Sequence, residues 1–275
     1  MIFDLPNPVF GIAFSHAPMI FAYDFGRYLV AACLISAIVW MLRRSLISAR
    51  KIQAREATWT DKRREIFASA QTCVVYVVMS LFVIWGVKHG WMQRHENSVS
   101  WGVDIATLVG MLIVHDAYFY WSHRTMHHPR LFKTFHRFHH RTITPTPFAA
   151  YSFAIPEAVV MAVFMPLWLA IVPTSVWVIV VFLNIMILRN AIGHAGFELH
   201  PRWWLSTPLT RWISTTTHHD LHHAGSFNHN FGFYFTYWDK LMGTEHPDYV
   251  AKFAEVTGRE RARKPAPARE DLAVS

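Results

Sequence analysis

Charge is scarce in this chain. Lys, Arg, Asp and Glu make up 16% of its 275 residues against 53% hydrophobic, and the mean hydropathy is +0.20. That balance is membrane-like for this length. Cysteine is nearly absent: Cys33 and Cys73 each lie inside an apolar run, so neither a disulfide framework nor a thiolate zinc site can be built from them. The opening MIFDLPNPVF has no basic n-region and no small-residue cleavage site, so no removable signal is expected. The zinc-protease pattern HExxH is missing, because His95-Glu96 has no second histidine. The paired ExxH motifs of carboxylate-bridged di-iron bundles are missing too.

The net charge of +8 does not point to nucleic acid. Its basic residues gather in loops beside apolar runs, as expected for orientation in an anionic membrane. The runs are Tyr28 to Leu42, which residues 17 to 27 can lengthen, Ile66 to Val87, and Ile105 to Val114 continuing into AYFYW. Two shorter runs, Ala158 to Val172 and Val176 to Leu188, flank Pro173, and each suits a tilted span or half of a re-entrant hairpin. Loop 43–65, with Arg43, Arg44, Arg50, Lys51, Arg55, Lys62, Arg63 and Arg64, is assigned to the cytoplasm, and KHGWMQRHENSVS then lies outside. The expected fold is an all-α integral membrane protein with about four transmembrane spans plus a re-entrant hairpin. A cytoplasmic helical cap carries the histidines. Residues 1–100 are read as membrane spans and basic loop, 101–248 as the histidine-bearing domain, and 249–275, ending GRERARKPAPAREDLAVS, as a disordered tail.

Histidine is abundant, 18 in all, and patterned. HxxHH occurs twice, as HRFHH at 136–140 and HDLHH at 219–223, where shuffling gives it well under once per chain. On a helix, positions i, i+3 and i+4 share a face, so His136, His139 and His140 can point at one spot, as can His219, His222 and His223. His123 and His127 add an i, i+4 pair, and topology returns all three segments to one membrane face. Lone histidines such as His16, His89 and His95 read as ordinary interfacial residues on the opposite face. Eight close imidazoles would repel one another on protonation unless metal holds them neutral, and their number suits two ions. Asp116, Tyr120, His123 and His127 form one helical stripe, which offers Asp116 and Tyr120 as groups orienting the imidazoles. Asp220 has the same possible role, and His115 lies off the stripe. In NAIGHAGFELHP, Asn190 and His194 are i and i+4, and His194 is a ninth candidate ligand; Glu198 and His200 are weaker ones.

Imidazole alone does not choose among zinc, copper, iron and nickel. Redox-active iron at a membrane surface could use O₂ against an unactivated lipid C–H bond. Tyr118, Phe119, Tyr120 and Trp121 would line an apolar approach. The rival reading, a metal transporter or metal-binding membrane protein, needs ionisable residues along a path through the bilayer. The spans offer few, chiefly Glu157 and Asn184. A soluble histidine-rich module is a third reading, excluded if extraction needs detergent.

The ordered segments HDAYFYWSHRTMHH, LFKTFHRFHHRTITPTPFAAYSFAIPE, NAIGHAGFELHP, THHDLHH and NFGFYFTYWDKLMGTEHPD resemble the sterol desaturase and fatty acid hydroxylase superfamily of membrane di-iron oxygenases. The resemblance covers roughly residues 100 to 248. It implies two irons held by His123, His127, His136, His139, His140, His194, His219, His222 and His223, with O₂ as co-substrate and a sterol, fatty-acyl or related lipid as substrate. Some relatives space the first box so that His128 would replace His127. Others carry a further histidine where this chain has Glu198, which leaves a tenth ligand open among Glu198, His200 and water. The usual NYG is NFG here, Asn230 to Gly232. No segment resembles the fused cytochrome of some members, so a separate ferredoxin or b-type cytochrome is expected. Size and lack of fused domains fit a bacterial inner-membrane member.

Overall fold

The computed structural model describes residues 15–43, 47–224 and 227–259. In chain order its helices are α1 (Ala17–Leu42), α2 (Trp59–Lys88), α3 (Trp101–Met126), α4 (Pro129–Phe135), α5 (Ile155–Ile171), α6 (Val176–Gly193), α7 (Thr216–His223), α8 (Tyr237–Leu241) and α9 (Tyr249–Gly258). Four of them, α1, α2, α3 and α6, are long and apolar enough to cross a membrane, and α5 at 17 residues is one residue shorter than α6. Their outward faces carry bare apolar side chains: Val30, Phe67, Val78, Ile105, Ile171 and Trp177 are all more than half exposed. Such a belt is a liability in water and ordinary solvation in lipid. The protein is a multi-pass membrane protein.

Three of the four long helices start where a hydroxyl can take a free backbone N–H group. Thr58 and Asp61 form a reciprocal capping box on α2, Ser100 takes the Val103 N–H on α3, and Ser175 takes the Val178 N–H on α6. Small residues let the helices close up: Ala31 and Ala32 of α1, Ala158 of α5 and Ala191 of α6 lie in one core with Tyr28, Cys73 and the 3₁₀ segment Pro147–Tyr151. A second core, nearer the other end, holds Met111, Phe164, Trp168, Leu169, Val178 and Phe182.

Two short strands, β1 (Arg94–His95) and β2 (Thr174–Ser175), pair in parallel, and the Gln93 N–H donates to the Leu169 carbonyl at 2.8 Å. The loop after α2 therefore meets the turn between α5 and α6. With 17 and 18 residues at about 1.5 Å each, these two helices run about 26 Å, close to the ~30 Å hydrocarbon thickness. The hairpin thus runs the length of the bundle. The segments carrying His123, His127, HRFHH, His194 and HDLHH lie at the end opposite β1 and β2.

One boundary moves. Residues 249–258, expected within a disordered tail, form α9, a packed helix lying against α7. Its stripe of Tyr249, Phe253 and Val256 is buried, hidden in the sequence among Lys252, Glu255 and the charged run that follows. Residues 260–275 of that tail fall outside the described residues. Phe253 is 2% exposed, so Phe253→Ala should cost about 3–5 kcal/mol and visibly lower the melting temperature in detergent. Val250→Ala, at a position 57% exposed, should change stability by no more than about 0.5 kcal/mol.

Candidate metal centre

Three elements and two turns bring the histidines together. The last turns of α3 carry His123 and the cap residue His127. His136 caps the C-terminus of α4, and His139 and His140 open a 3₁₀ turn, so HRFHH is not one continuous helix. His194 caps α6, while HDLHH forms the body of α7. All nine are buried, and they fall into two groups. His123, His127, His136, His140 and His222 make one; His139, His194, His219 and His223 make the other. Within each group the facing nitrogens lie within 4.8 Å of one another.

This division corrects the expectation that each HxxHH points at one spot. The outer pair of HRFHH, His136 and His140, joins the first group, and its middle residue His139 crosses to the second. HDLHH does the reverse, giving His219 and His223 to the second group and His222 to the first. Each copy therefore contributes to both groups, two imidazoles to one and one to the other.

The hydrogen bonds show what these groups can hold. His123 Nδ1 lies 2.9 Å from the Phe231 carbonyl, His139 Nδ1 3.2 Å from that of Ser152, His194 Nδ1 2.9 Å from that of Asn190 and His222 Nδ1 2.7 Å from that of His229. His136 Nδ1 faces Glu157 Oε1 at 2.7 Å. A backbone carbonyl only accepts, so the Nδ1 atoms of His123, His139, His194 and His222 carry the hydrogen, as does that of His136 against an ionised Glu157, and each neutral ring then presents a bare Nε2. Those Nε2 atoms then meet lone pair to lone pair: His123 and His136 at 2.9 Å, His194 and His139 at 3.4 Å. Buried His222 Nε2 has no hydrogen-bond partner at all. Convergent, unprotonated nitrogens fit a cation between them, and the donor set is the one that imidazole-loving transition metals take.

Burial sets the protonation. It pulls His194 down to about 4, and together with the neighbouring His123 and His139 imidazoles it pulls His127 down to about 2. His136, His139, His219, His222 and His223 are held well below the ordinary value by the same two causes.

The other expected residues act at one remove. Asp116 bonds no imidazole; Oδ1 accepts from the Tyr234 N–H at 2.8 Å and the Phe235 N–H at 3.2 Å, which steadies the segment whose Phe231 carbonyl holds His123. Tyr120 bonds Thr244 at 2.9 Å and Arg124 at 3.2 Å rather than a histidine. Asn190 serves through its backbone carbonyl on His194. Asp220 turns away to Gln53 at 2.9 Å, and burial raises its carboxyl to about 7. His128 stays outside both groups as the N-cap of α4, so His127 occupies the first. Glu198 accepts from the Thr217 N–H at 2.8 Å and from His200, so it anchors the start of α7 and lies in neither group. Burial pushes its carboxyl up, but the His200 and Thr217 bonds outweigh that and hold it low. His115 sits in an aromatic nest with Phe164, Phe182 and Phe233.

Sequence reasoning missed the orienting role of Glu157, the carboxylate that meets an imidazole of the first group. Its signal was an acid at the first turn of an apolar helix, in IPE. Asp239 was also missed: it takes the Phe231 N–H at 2.9 Å and the Gly232 N–H at 2.8 Å, and an added Cβ at Gly232 would collide with the Phe235 carbonyl. Asn230 beside it has φ 58°, a backbone region that asparagine tolerates, and its side chain ties His218 O to His246 N. NFG is thus a structural clasp behind His123.

A buried neutral imidazole binds fewer protons folded than unfolded, so stability rises with pH between its folded and ordinary values. The contribution is full above about 6.5 and is lost as pH falls toward the folded values, about 4 for His194 and about 2 for His127. The melting temperature of metal-free protein in detergent should fall steeply below pH 6.5 and be flat just above it. A flat profile down to pH 4.5 would mean the rings are hydrated.

Residues 108–244 match the model of the fatty acid hydroxylase family. A Delta(7)-sterol 5(6)-desaturase of Gibberella zeae is 31% identical over 156 residues, 57% of this chain and 46% of that protein. A Dictyostelium discoideum protein carrying a provisional methylsterol monooxygenase name is 30% identical over 208 residues, 74% of this chain and 76% of its own. The Homo sapiens lathosterol oxidase is 27% identical over 190 residues, 66% of this chain and 60% of its own. The matched stretch is less than two thirds of the desaturase and of the oxidase. No solved structure matches. Both groups of histidines fall inside the matched stretch, and the chain belongs to the fatty acid hydroxylase family, within the sterol desaturase and fatty acid hydroxylase superfamily.

Proposed function

We propose that the chain is an O₂-dependent membrane oxidoreductase that hydroxylates or desaturates a lipid C–H bond at two iron ions. The observation that carries this is the pair of buried groups of converging imidazoles, in which five rings commit Nδ1 to a fixed acceptor and turn Nε2 inward. His123, His127, His136, His140 and His222 would hold one ion, and His139, His194, His219 and His223 the other. Iron with O₂ supplies the oxidising power for an unactivated C–H bond, which amino-acid side chains lack. The chain's own part is to hold and shield. Glu157 and the carbonyls of Phe231, Ser152, Asn190 and His229 fix the ring tautomers. Phe227, Phe231 and Phe153 lie against His140, His127 and His139 at 4.3, 5.1 and 5.3 Å between ring centroids, and they exclude water.

The relatives' names speak of sterols, which supports a sterol or related lipid as substrate. Arg124, Arg130, Lys133, Arg137 and Arg141 beside the histidines, together with loop 43–65, support a cytoplasmic face, in a bacterial inner membrane. The electron donor is a ferredoxin or b-type cytochrome. A transport role draws no support, since the imidazoles form two closed groups at one end of the bundle rather than a path through it.

Lipid mass spectrometry of cells expressing the protein, against a His139→Ala/His222→Ala control that removes one imidazole from each group, should reveal one lipid class gaining an oxygen or losing two hydrogens. Unchanged lipids, with protein that purifies free of iron after iron-replete expression, would contradict the proposal. Glu157→Ala should weaken iron binding about 10–100-fold in a metal titration, and Glu157→Gln, which keeps an acceptor, should do so less.

A further inference from the structure

A cavity of about 510 Å³ lies within the bundle between α1, α2, α5 and α6, inside the ~300–1,000 Å³ range of small-molecule sites. Its walls are almost wholly apolar. They are interrupted at mid-span by Asp24 and Arg27 of α1, which are 5% and 8% exposed. Arg27 Nε and Nη2 both reach Asp24 Oδ1 at 2.9 Å, and Nη1 donates to the Leu183 carbonyl of α6 at 2.7 Å. Three of the five guanidinium N–H groups are used, and the pair leaves Asp24 Oδ2 without a bond from Arg27. An ion pair is costly in a bilayer interior, and one that lines a cavity with donor and acceptor capacity to spare marks a binding site.

The cavity adjoins the metal centre. Three helices lining it carry residues of that centre one or two turns further on. Met161 is four residues from Glu157 on α5, His115 eight from His123 on α3, and Met186 eight from His194 on α6, about 6, 12 and 12 Å along the axes. His115, on the cavity wall, has an Nδ1 without a partner.

We propose that Asp24 and Arg27 form the recognition site for the polar end of a lipid held in this cavity, and that the group recognised is an uncharged hydroxyl. A hydroxyl both donates and accepts, matching Asp24 Oδ2 and a free Arg27 N–H together. A carboxylate matches only Arg27, whose charge Asp24 already balances, and it would meet Asp24 with like charge in an apolar setting. Arg94, at the cavity's far end, is likewise paired, with Glu96. The lipid's conversion rests on the function proposed above; its binding does not.

The test is competition for radiolabelled 1-hexadecanol on the iron-loaded full chain in detergent. Unlabelled 1-hexadecanol should compete at least about tenfold better than hexadecane or ionised hexadecanoate, the selectivity of one or two hydrogen bonds to charged groups. Asp24→Leu/Arg27→Met removes both charges together, so no lone buried charge remains; it should lose that advantage while keeping its iron. Equal competition by alkane and alcohol, better competition by hexadecanoate, or undiminished alcohol binding by the double variant would each overturn the proposal. The order of the three competitors on the native chain decides the matter even if the variant fails to fold. Because binding is read without turnover, failure to oxidise a lipid would overturn the reaction and leave this result standing.

Discussion

Five imidazoles spend their Nδ1 hydrogen on fixed acceptors, which turns bare Nε2 atoms toward one another in a dry interior. An unsatisfied buried polar atom costs about 1–3 kcal/mol, and here several converge. Without a cation the arrangement is a concentration of mutual repulsion, and with one it becomes a ligand set. Most of what surrounds it serves to hold those rings still. Asp239 clasps Phe231 and Gly232 behind His123, Glu198 fixes the start of α7, and Asp116 pins Tyr234 and Phe235.

The split of each HxxHH between two groups gives the repeat its physical reason. A single copy presents an i, i+4 pair to one place and its middle residue to another. Two copies facing one another fill each other's gaps, and His123, His127 and His194 supply the remainder. The two groups cannot form independently, because both HxxHH copies are committed to both. The long hairpin of α5 and α6 makes this possible: it carries the chain to the far end of the bundle, where it pairs with the loop at Arg94, and back to His194.

Much of this was legible in the sequence. Apolar runs scarcely interrupted by charge located the spans, since lipid tolerates little else, and clustered histidines located the centre, since no apolar core wants them. What was hidden depends on tertiary placement. The turn between His136 and His139 breaks the helix that would have put HRFHH on one face. Four of the five Nδ1 acceptors are backbone carbonyls, which every residue has and no pattern reveals. Asp24 and Arg27 read as flanking residues of a short run because their mutual neutralisation, which lets both lie at mid-span, is a contact and not a composition. The stripe of α9 was lost against its charged neighbours.

The central claim is the interlocked division of the histidines. Locating the metals by anomalous scattering in crystals of iron-loaded protein tests it most directly. The account predicts two peaks, one enclosed by His123, His127, His136, His140 and His222 and the other by His139, His194, His219 and His223. A single peak, or two peaks with all of HRFHH around one and all of HDLHH around the other, would contradict it.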